Sequence, residues 1–182
     1  MHGEHGTRGT GGKRVTSAQE DAYLEFVAER ARALYRSAYV LAAGDTHLAE
    51  DLVQETLGRV YAHWKRVARA DSPAAYAQTV LVRAFLSLRR RRSTGERPVG
   101  DLPDRAASGP DTALRLTLLD AIGRLPPRDR AVLLLRYWED RSIEETGRML
   151  RMSNSAVRSQ GTRALVRVRA LLGDSLTDLV PR

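Results

Sequence analysis

The chain has 182 residues, of which 42% are hydrophobic and 5% aromatic, and it contains no cysteine. The absence of cysteine excludes a disulfide framework, a cysteine-ligated zinc site and a thiol nucleophile. A net charge of +8 favours a polyanionic partner, because basic side chains attract phosphate and release its counterions. Among the 30 basic residues only Lys13 and Lys65 are lysine, and a GC-rich coding sequence would produce the same arginine bias. The positions of the arginines, and not their number, must therefore decide whether the partner is a nucleic acid.

The N-terminal segment is rich in glycine and polar residues and has no apolar period. We predict that residues 1–17 form a disordered tail. This segment lacks the apolar core of a signal peptide, and no run of 18 or more apolar residues occurs in the sequence. We therefore expect a cytoplasmic protein without membrane insertion.

Three amphipathic helices follow the tail. In residues 20–43 apolar side chains recur at three- and four-residue steps, and Gly44 and Asp45 then predict a helix end and the cap of the next helix. Residues 46–64 carry a second apolar stripe, which places Trp64 in the core. A third helix is predicted at residues 73–92, where it ends in four arginines.

A segment with three prolines and three glycines divides the chain. We predict a flexible linker at residues 93–112 between a helical domain at 18–92 and a second one at 113–173, with a C-terminal tail at 174–182. No strand-like alternation persists anywhere. The predicted fold class is therefore all-α, with two small helical domains joined by the linker.

The second domain carries the pattern of a helix-turn-helix. A capping box predicts the start of one helix at Ser142, and Gly147 and Val157 have the ten-residue spacing expected between the helix crossing and the buried start of the second helix. Arg151 stands where the turn commonly has glycine, so it must adopt an unfavourable backbone conformation or a different turn. The helix that follows has one apolar stripe and an opposite basic, hydroxyl-rich face, which suits the major groove of DNA.

The two halves together resemble a known family. Three segments carry the resemblance in this order: “AEDLVQETLGRVY”, “SPAAYAQTVLVRAFLSLRRRR” and “LPPRDRAVLLLRYWEDRSIEETGRMLRMSNSAVRSQGTRAL”. The chain is similar to the bacterial extracytoplasmic-function sigma factors, which are group IV of the sigma-70 family, and “VRSQGTRAL” is closest to a SigE-like subset. The resemblance implies a sigma region 2 helical bundle, a sigma region 4 helix-turn-helix, and a factor that binds core RNA polymerase and recognises the −10 and −35 promoter elements.

The resemblance implies that the second helix docks on the clamp coiled coil of the polymerase β′ subunit, with the β flap as a further contact. Asp51, Gln54 and Glu55 share an outward ridge there, and Arg59 lies one turn further. Carboxylate and amide acceptors on this ridge can pair with arginines of a partner helix. Acidic residues near a helix start also complement the helix dipole, and without the family this simpler interpretation would be preferred.

The resemblance also implies two contacts with promoter DNA. The first domain would bind the melted −10 element through charged and aromatic side chains, namely Lys65, Arg66, Arg69, Tyr76, Arg83, Arg89 and Arg90. The second would read the −35 element as duplex through Arg158, Ser159, Thr162 and Arg163. The arginine run that ends the third helix could equally be a solvated helix end. Many relatives have arginine where Gln160 stands, which leaves the preferred −35 sequence open.

Two other function classes are alternatives. A stand-alone helix-turn-helix regulator would bind duplex DNA without polymerase, usually as a dimer, but no sustained heptad seam offers a dimer interface. An enzyme would need catalytic groups, and no acid pair, glycine-rich phosphate loop or metal-spaced cluster accompanies His47 and His63. We expect no catalytic residue, cofactor or metal. The expected partners are core RNA polymerase and promoter DNA, and the resemblance allows an anti-sigma factor.

Overall fold

The computed structural model describes residues 17–95 and 110–176, which form eight α-helices and no strand. This confirms the all-α fold class. The helices are α1 (Ser17–Leu41), α2 (Thr46–Ala62), α3 (Trp64–Val67), α4 (Pro73–Gly95), α5 (Pro110–Arg124), α6 (Pro127–Leu133), α7 (Ile143–Leu150) and α8 (Asn154–Leu176), and a π-helical segment, Leu134–Trp138, continues α6. The predicted N-terminal tail up to residue 16, residues 96–109 of the predicted linker, and residues 177–182 lie outside the described residues.

The first bundle packs α1, α2 and α4 around a core of leucine, valine and alanine. Asp45 caps α2 as expected, because its Oδ1 accepts a hydrogen bond of 3.0 Å from the backbone N–H of Leu48. Trp64 is only 5% exposed, and its ring lies 5.4 Å from that of Tyr23 and 5.2 Å from that of Phe26. Trp64 is therefore a core residue, and its ring is not available for stacking on a base.

Several helix ends differ from the sequence prediction. The helix predicted at residues 46–64 is interrupted at His63, which has φ −118° and ψ 16° and separates α2 from α3. Helix α4 continues to Gly95 and α5 begins at Pro110, so helix occupies both ends of the segment predicted as linker. Proline is favoured in the first turn of a helix, because its missing N–H has no helical partner there. The predicted domain boundaries themselves stay a prediction.

The turn of the helix-turn-helix is built as the sequence indicated. Ser142 and Glu145 form both hydrogen bonds of a capping box at the start of α7, with lengths of 2.8 and 3.0 Å. Arg151 ends α7 in the left-handed conformation, with φ 56° and ψ 52°. A Cβ atom on Gly147 would lie 2.8 Å from the backbone oxygen of Met152, so only glycine fits where the chain turns.

Replacing Arg151 by glycine should stabilise the domain. The left-handed conformation costs an L-residue more than it costs glycine, so we expect the free energy of unfolding to rise by about 0.5–1 kcal/mol. Arg148→Gly is the matched control, because Arg148 is an exposed residue inside α7 and glycine there should lower the same free energy by about 1 kcal/mol. Urea unfolding of both variants measures the two effects, and a destabilised Arg151→Gly protein would contradict the prediction.

The second domain packs directly on the first. Buried residues of α6, α7 and the π-helical segment belong to the same apolar cluster as those of α1, α2 and α4. Within α4, Val82 and Phe85 are completely buried, and the Arg130 guanidinium of α6 lies over the Phe85 ring. Ser37 of α1 also hydrogen-bonds Glu139, which follows the π-helical segment.

Candidate polymerase and nucleic-acid interfaces

The ridge predicted as the polymerase contact lies on the outer face of α2. The opposite face buries apolar side chains, including Leu48, Leu52 and Val60. Asp51 and Gln54 are exposed, whereas Glu55 is half-buried and forms an ion pair with Arg59 one turn later. Since Glu55 already has a cationic neighbour on its own helix, Asp51 is the carboxylate of this ridge most available to a cationic partner.

The residues predicted to contact the −10 element fall into two groups. Lys65, Arg66 and Arg69 are exposed on and just after α3, and an NH2 group of Arg66 donates a hydrogen bond of 3.1 Å to the hydroxyl of Tyr76 at the start of α4. This contact ties α3 to α4. The second group, Arg83, Arg89 and Arg90, lies two to four turns further along α4. Basic side chains therefore occur at α3 and along much of α4.

Arg83 is engaged by the second domain. Its Nε donates to the backbone oxygen of Met149 at 2.9 Å and an NH2 group to that of Arg148 at 3.2 Å. These carbonyls belong to the last turn of α7, where the helix leaves acceptors unpaired. Burial lowers the pKa of Arg83, and the nearby charge of Arg151 lowers it further. In this conformation a residue predicted to contact the −10 element is instead a contact between the two domains.

Arginines from both domains line the cleft beside this contact. Arg83, Arg89 and Arg90 reach it from α4, and Arg128 and Arg151 reach it from the second domain. The cleft has a volume of about 710 Å³. The concentration of positive charge makes it a favourable place for a polyanion.

The side chain of Arg130, in the second domain, also contacts the first domain. Its guanidinium donates to the backbone oxygens of Leu41 and Gly123, both at 2.8 Å, and of Leu125 at 3.4 Å, and it lies 5.5 Å from the centre of the Phe85 ring. Burial lowers the pKa of Arg130 to about 10, with a smaller effect from Arg89. The sequence did not indicate this role, because all three acceptors are backbone groups of other elements.

Helix α8 is the second helix of the helix-turn-helix, which is the recognition helix of this motif. It presents the predicted −35 residues on its outer face. Arg158, Ser159, Thr162 and Arg163 are all exposed. The opposite face is buried at Val157 and Ala164, as the apolar stripe predicted. The Thr162 hydroxyl donates its proton to the backbone oxygen of Arg158 at 3.1 Å, so in this conformation its oxygen can only accept a further hydrogen bond.

A buried carboxylate of α6 forms hydrogen bonds with two side chains of α8. The side chain of Asp129, in the first turn of α6, is completely buried and accepts hydrogen bonds from Gln160 and Arg167 of α8. The Gln160 carbonyl oxygen in turn accepts from an NH2 group of Arg163 at 3.2 Å. Sequence reasoning did not identify Asp129, because an acidic residue in the first turn of a helix ordinarily stabilises the helix dipole. No sequence signal pairs it with a helix some thirty residues away.

Two family models match the chain in order along the sequence. The one described as “Sigma-70 region 2” matches residues 26–94, and “Sigma-70, region 4” matches residues 115–168. The RNA polymerase sigma-E factor of Streptomyces avermitilis is 38% identical over 149 residues, which cover 81% of this chain and 83% of that protein. The chain belongs to the sigma-70 family. It is an RNA polymerase sigma factor of the extracytoplasmic-function group.

Other relatives agree with this assignment. The RNA polymerase sigma-E factor of Streptomyces coelicolor is 36% identical to this sigma factor over 81% of this chain and 84% of its own length. A solved structure titled as the sigma factor RpoE with the anti-sigma factor NepR from Bartonella quintana superposes with a TM-score of 0.66 at 22% identity, over 84% of this chain and 98% of that one. At that identity the superposition supports the fold.

The matches map onto the helices described above. Region 2 extends from within α1 to the end of α4, so it includes the α2 ridge and both basic groups. Region 4 extends from α5 into α8 and includes the recognition helix with its exposed arginines. Within the described parts of this sigma factor, no group of three or more histidine, aspartate or glutamate side chains could hold a metal ion. No described helix is both long and apolar enough to cross a membrane.

Proposed function

We propose that this sigma factor directs promoter-specific initiation of transcription by binding core RNA polymerase and contacting the −10 and −35 elements. The observation that supports this most directly is the presence of regions 2 and 4, in that order, in one chain. The factor contributes no catalytic group and acts in the cytoplasm, where the polymerase carries out the chemistry. An anti-sigma factor, like the one named with the solved RpoE structure, is a further partner in this proposal.

The polymerase contact in this proposal is the α2 ridge of Asp51, Gln54, Glu55 and Arg59. Its exposed carboxylate and amide can each accept a hydrogen bond from an arginine or lysine of the β′ clamp helices. The Glu55–Arg59 ion pair occupies the next turn on the same face. A partner that supplies cations therefore finds its exposed acceptors at Asp51 and Gln54.

The two DNA contacts use different chemistry. Lys65, Arg66, Arg69, Arg89 and Arg90 supply charge for the phosphates of the opened −10 strand, with Tyr76 beside them as the aromatic side chain. Arg83 joins them when it leaves the carbonyls of α7. At the −35 element, Arg158 and Arg163 can donate to guanine O6 and N7 or to phosphates, and Ser159 can contact phosphates or base edges. Thr162 can accept from a base edge, or donate to a phosphate once its hydroxyl leaves the Arg158 carbonyl.

Charge reversal on the α2 ridge tests the polymerase contact. Asp51→Arg should weaken binding to purified core enzyme by about tenfold or more, because it places a cation opposite the cations of the clamp, and Gln54→Ala should weaken it less. Glu29→Arg is the matched control, since it makes the same charge change at an exposed position of α1. Fluorescence anisotropy with labelled factor measures each affinity.

Run-off transcription from a genomic promoter pool completes the test. Wild-type factor with core enzyme should produce defined start sites, and Asp51→Arg should lose them while Glu29→Arg keeps them. Unchanged affinity of both ridge variants would remove the docking assignment. Specific duplex binding without core enzyme, together with no initiation, would instead identify a stand-alone DNA-binding regulator.

A further inference from the structure

Two hydrogen bonds in series join a buried carboxylate of α6 to an exposed arginine of α8. Asp129 lies at the buried end, Gln160 is half-buried, and Arg163 is exposed on the predicted DNA-binding face. Gln160, Arg163 and Arg167 are spaced three and four residues apart on α8, so they share one side of the helix. These hydrogen bonds therefore connect the interior of region 4 with the surface proposed to face the −35 element.

The carboxylate of Asp129 fixes which way the Gln160 amide points. An ionised carboxylate only accepts hydrogen bonds, so Gln160 must present its NH2 group to Asp129. The carbonyl oxygen of the same amide then points the other way, where it accepts from Arg163. If the amide were reversed, two sets of donors would face each other at Arg163, because guanidinium has no acceptor.

We propose that Asp129 and Gln160 are positioning residues that orient the Arg163 guanidinium for one base pair of the −35 element. This inference rests on the proposed function. One NH2 group of the exposed Arg163 side chain is held by Gln160, which leaves the other N–H groups of its five-donor fork for DNA, and two of them can bind O6 and N7 of a guanine. A fixed guanidinium loses less side-chain entropy on binding than a mobile one, so the pair raises discrimination at that base pair.

A substitution of Arg167 distinguishes the orientation of Arg163 from a purely structural role of Asp129. Arg167 also binds Asp129, but its contact does not pass through Gln160. Asp129→Asn makes the carboxylate a neutral amide with its own NH2 group, so the Gln160 amide is free to reverse and to turn its donors towards Arg163. Arg167→Met removes a bond to Asp129 and leaves the Gln160–Arg163 contact in place.

The experiment measures binding of holoenzyme to promoters in which each base pair of the −35 element is varied. Arg163→Ala should lose discrimination at one base pair by about 5- to 150-fold. Gln160→Ala and Asp129→Asn should each lose about 2- to 10-fold at that same base pair. The double variant Gln160→Ala/Arg163→Ala should discriminate no worse than Arg163→Ala alone, because Gln160 acts through Arg163. Arg167→Met should keep the wild-type profile.

Several results would overturn the inference. Gln160→Ala could change discrimination at a different base pair, which would make Gln160 a direct contact. It could weaken all sequences equally, or its effect could add to that of Arg163→Ala. Gln160→Ala keeps the test independent of folding, since Gln160 is half-buried and the Asp129–Arg167 ion pair remains. Wild-type holoenzyme with no −35 preference would contradict the proposed function, whereas preserved preference without coupling would contradict the positioning role alone.

Discussion

Replacing Gly147 by alanine should lower the free energy of unfolding by about 1–3 kcal/mol, the usual cost of forcing an extra methyl group into a packed site. The added Cβ would lie 2.8 Å from the backbone oxygen of Met152 and 3.3 Å from Oδ1 of Asn154. A backbone oxygen in a tight turn cannot rotate away as a flexible side chain can. The turn must therefore open, and α8 must shift relative to α7.

The effect of Gly147→Ala should extend to DNA. A shift of α8 moves Arg158 and Arg163 relative to the rest of region 4, so binding to the −35 duplex should weaken along with stability. Gly58→Ala is the control, because Gly58 lies inside α2 and a Cβ atom added there would meet no neighbouring atom within 4 Å. Alanine is the better helix former by about 1 kcal/mol, so Gly58→Ala should stabilise the protein. Equal effects of the two substitutions in urea unfolding would contradict the steric argument.

Replacing Arg130 by methionine should destabilise the protein by about 2–4 kcal/mol. The methionine side chain can fill much of the apolar space beside Phe85, but it leaves the carbonyls of Leu41, Gly123 and Leu125 without their donor. Each buried polar group left unpaired costs about 1–3 kcal/mol, and relaxation reduces the total. Arg130→Lys should restore little, because a single ammonium group does not reproduce the planar fork.

Arg128→Met provides the comparison for Arg130→Met. Arg128 is exposed two residues earlier on α6, so the same change there should alter the free energy of unfolding by less than about 0.5 kcal/mol. Urea unfolding followed by circular dichroism measures both variants. Since the Arg130–Leu41 hydrogen bond also joins the two domains, small-angle scattering of Arg130→Met should show a larger radius of gyration. A stable, equally compact Arg130→Met protein would refute this role.

The features that the sequence predicted well depend on neighbouring residues. The Asp45 cap and the Ser142–Glu145 capping box each involve residues within about one helical turn, and so does the left-handed Arg151, which is one of the two outcomes that the sequence left open. Local chemistry is sufficient to predict them. The buried faces of α2 and α8 followed from helical periodicity for the same reason.

The features that the sequence did not predict depend on contacts between distant segments. Arg83 and Arg130 bind backbone carbonyls, and a carbonyl leaves no signature in a sequence because every residue has one. Asp129 contacts α8 only because the fold brings the two helix turns together. The sequence does not reveal the π-helical segment either, because a short apolar run fits an α-helix and a π-helix equally. The proposed roles of the exposed arginines await the experiments above.

The hydrogen bonds from Arg83 to the end of α7 have a consequence for promoter engagement. Elements centred near −35 and −10 are separated by about 85 Å of B-DNA, at ~3.4 Å per base pair. In the proposed function α4 contacts the −10 element, and α8, which packs on α7, contacts the −35 element. While hydrogen bonds of 2.9 and 3.2 Å join α4 to α7, these two helices are too close to occupy both elements at once. The molecule with α4 joined to α7 and the promoter-bound molecule are therefore competing states in the proposed function. The apparent affinity for DNA is then the affinity of the open molecule multiplied by the fraction of molecules that are open, and every contact between α4 and α7 reduces that fraction.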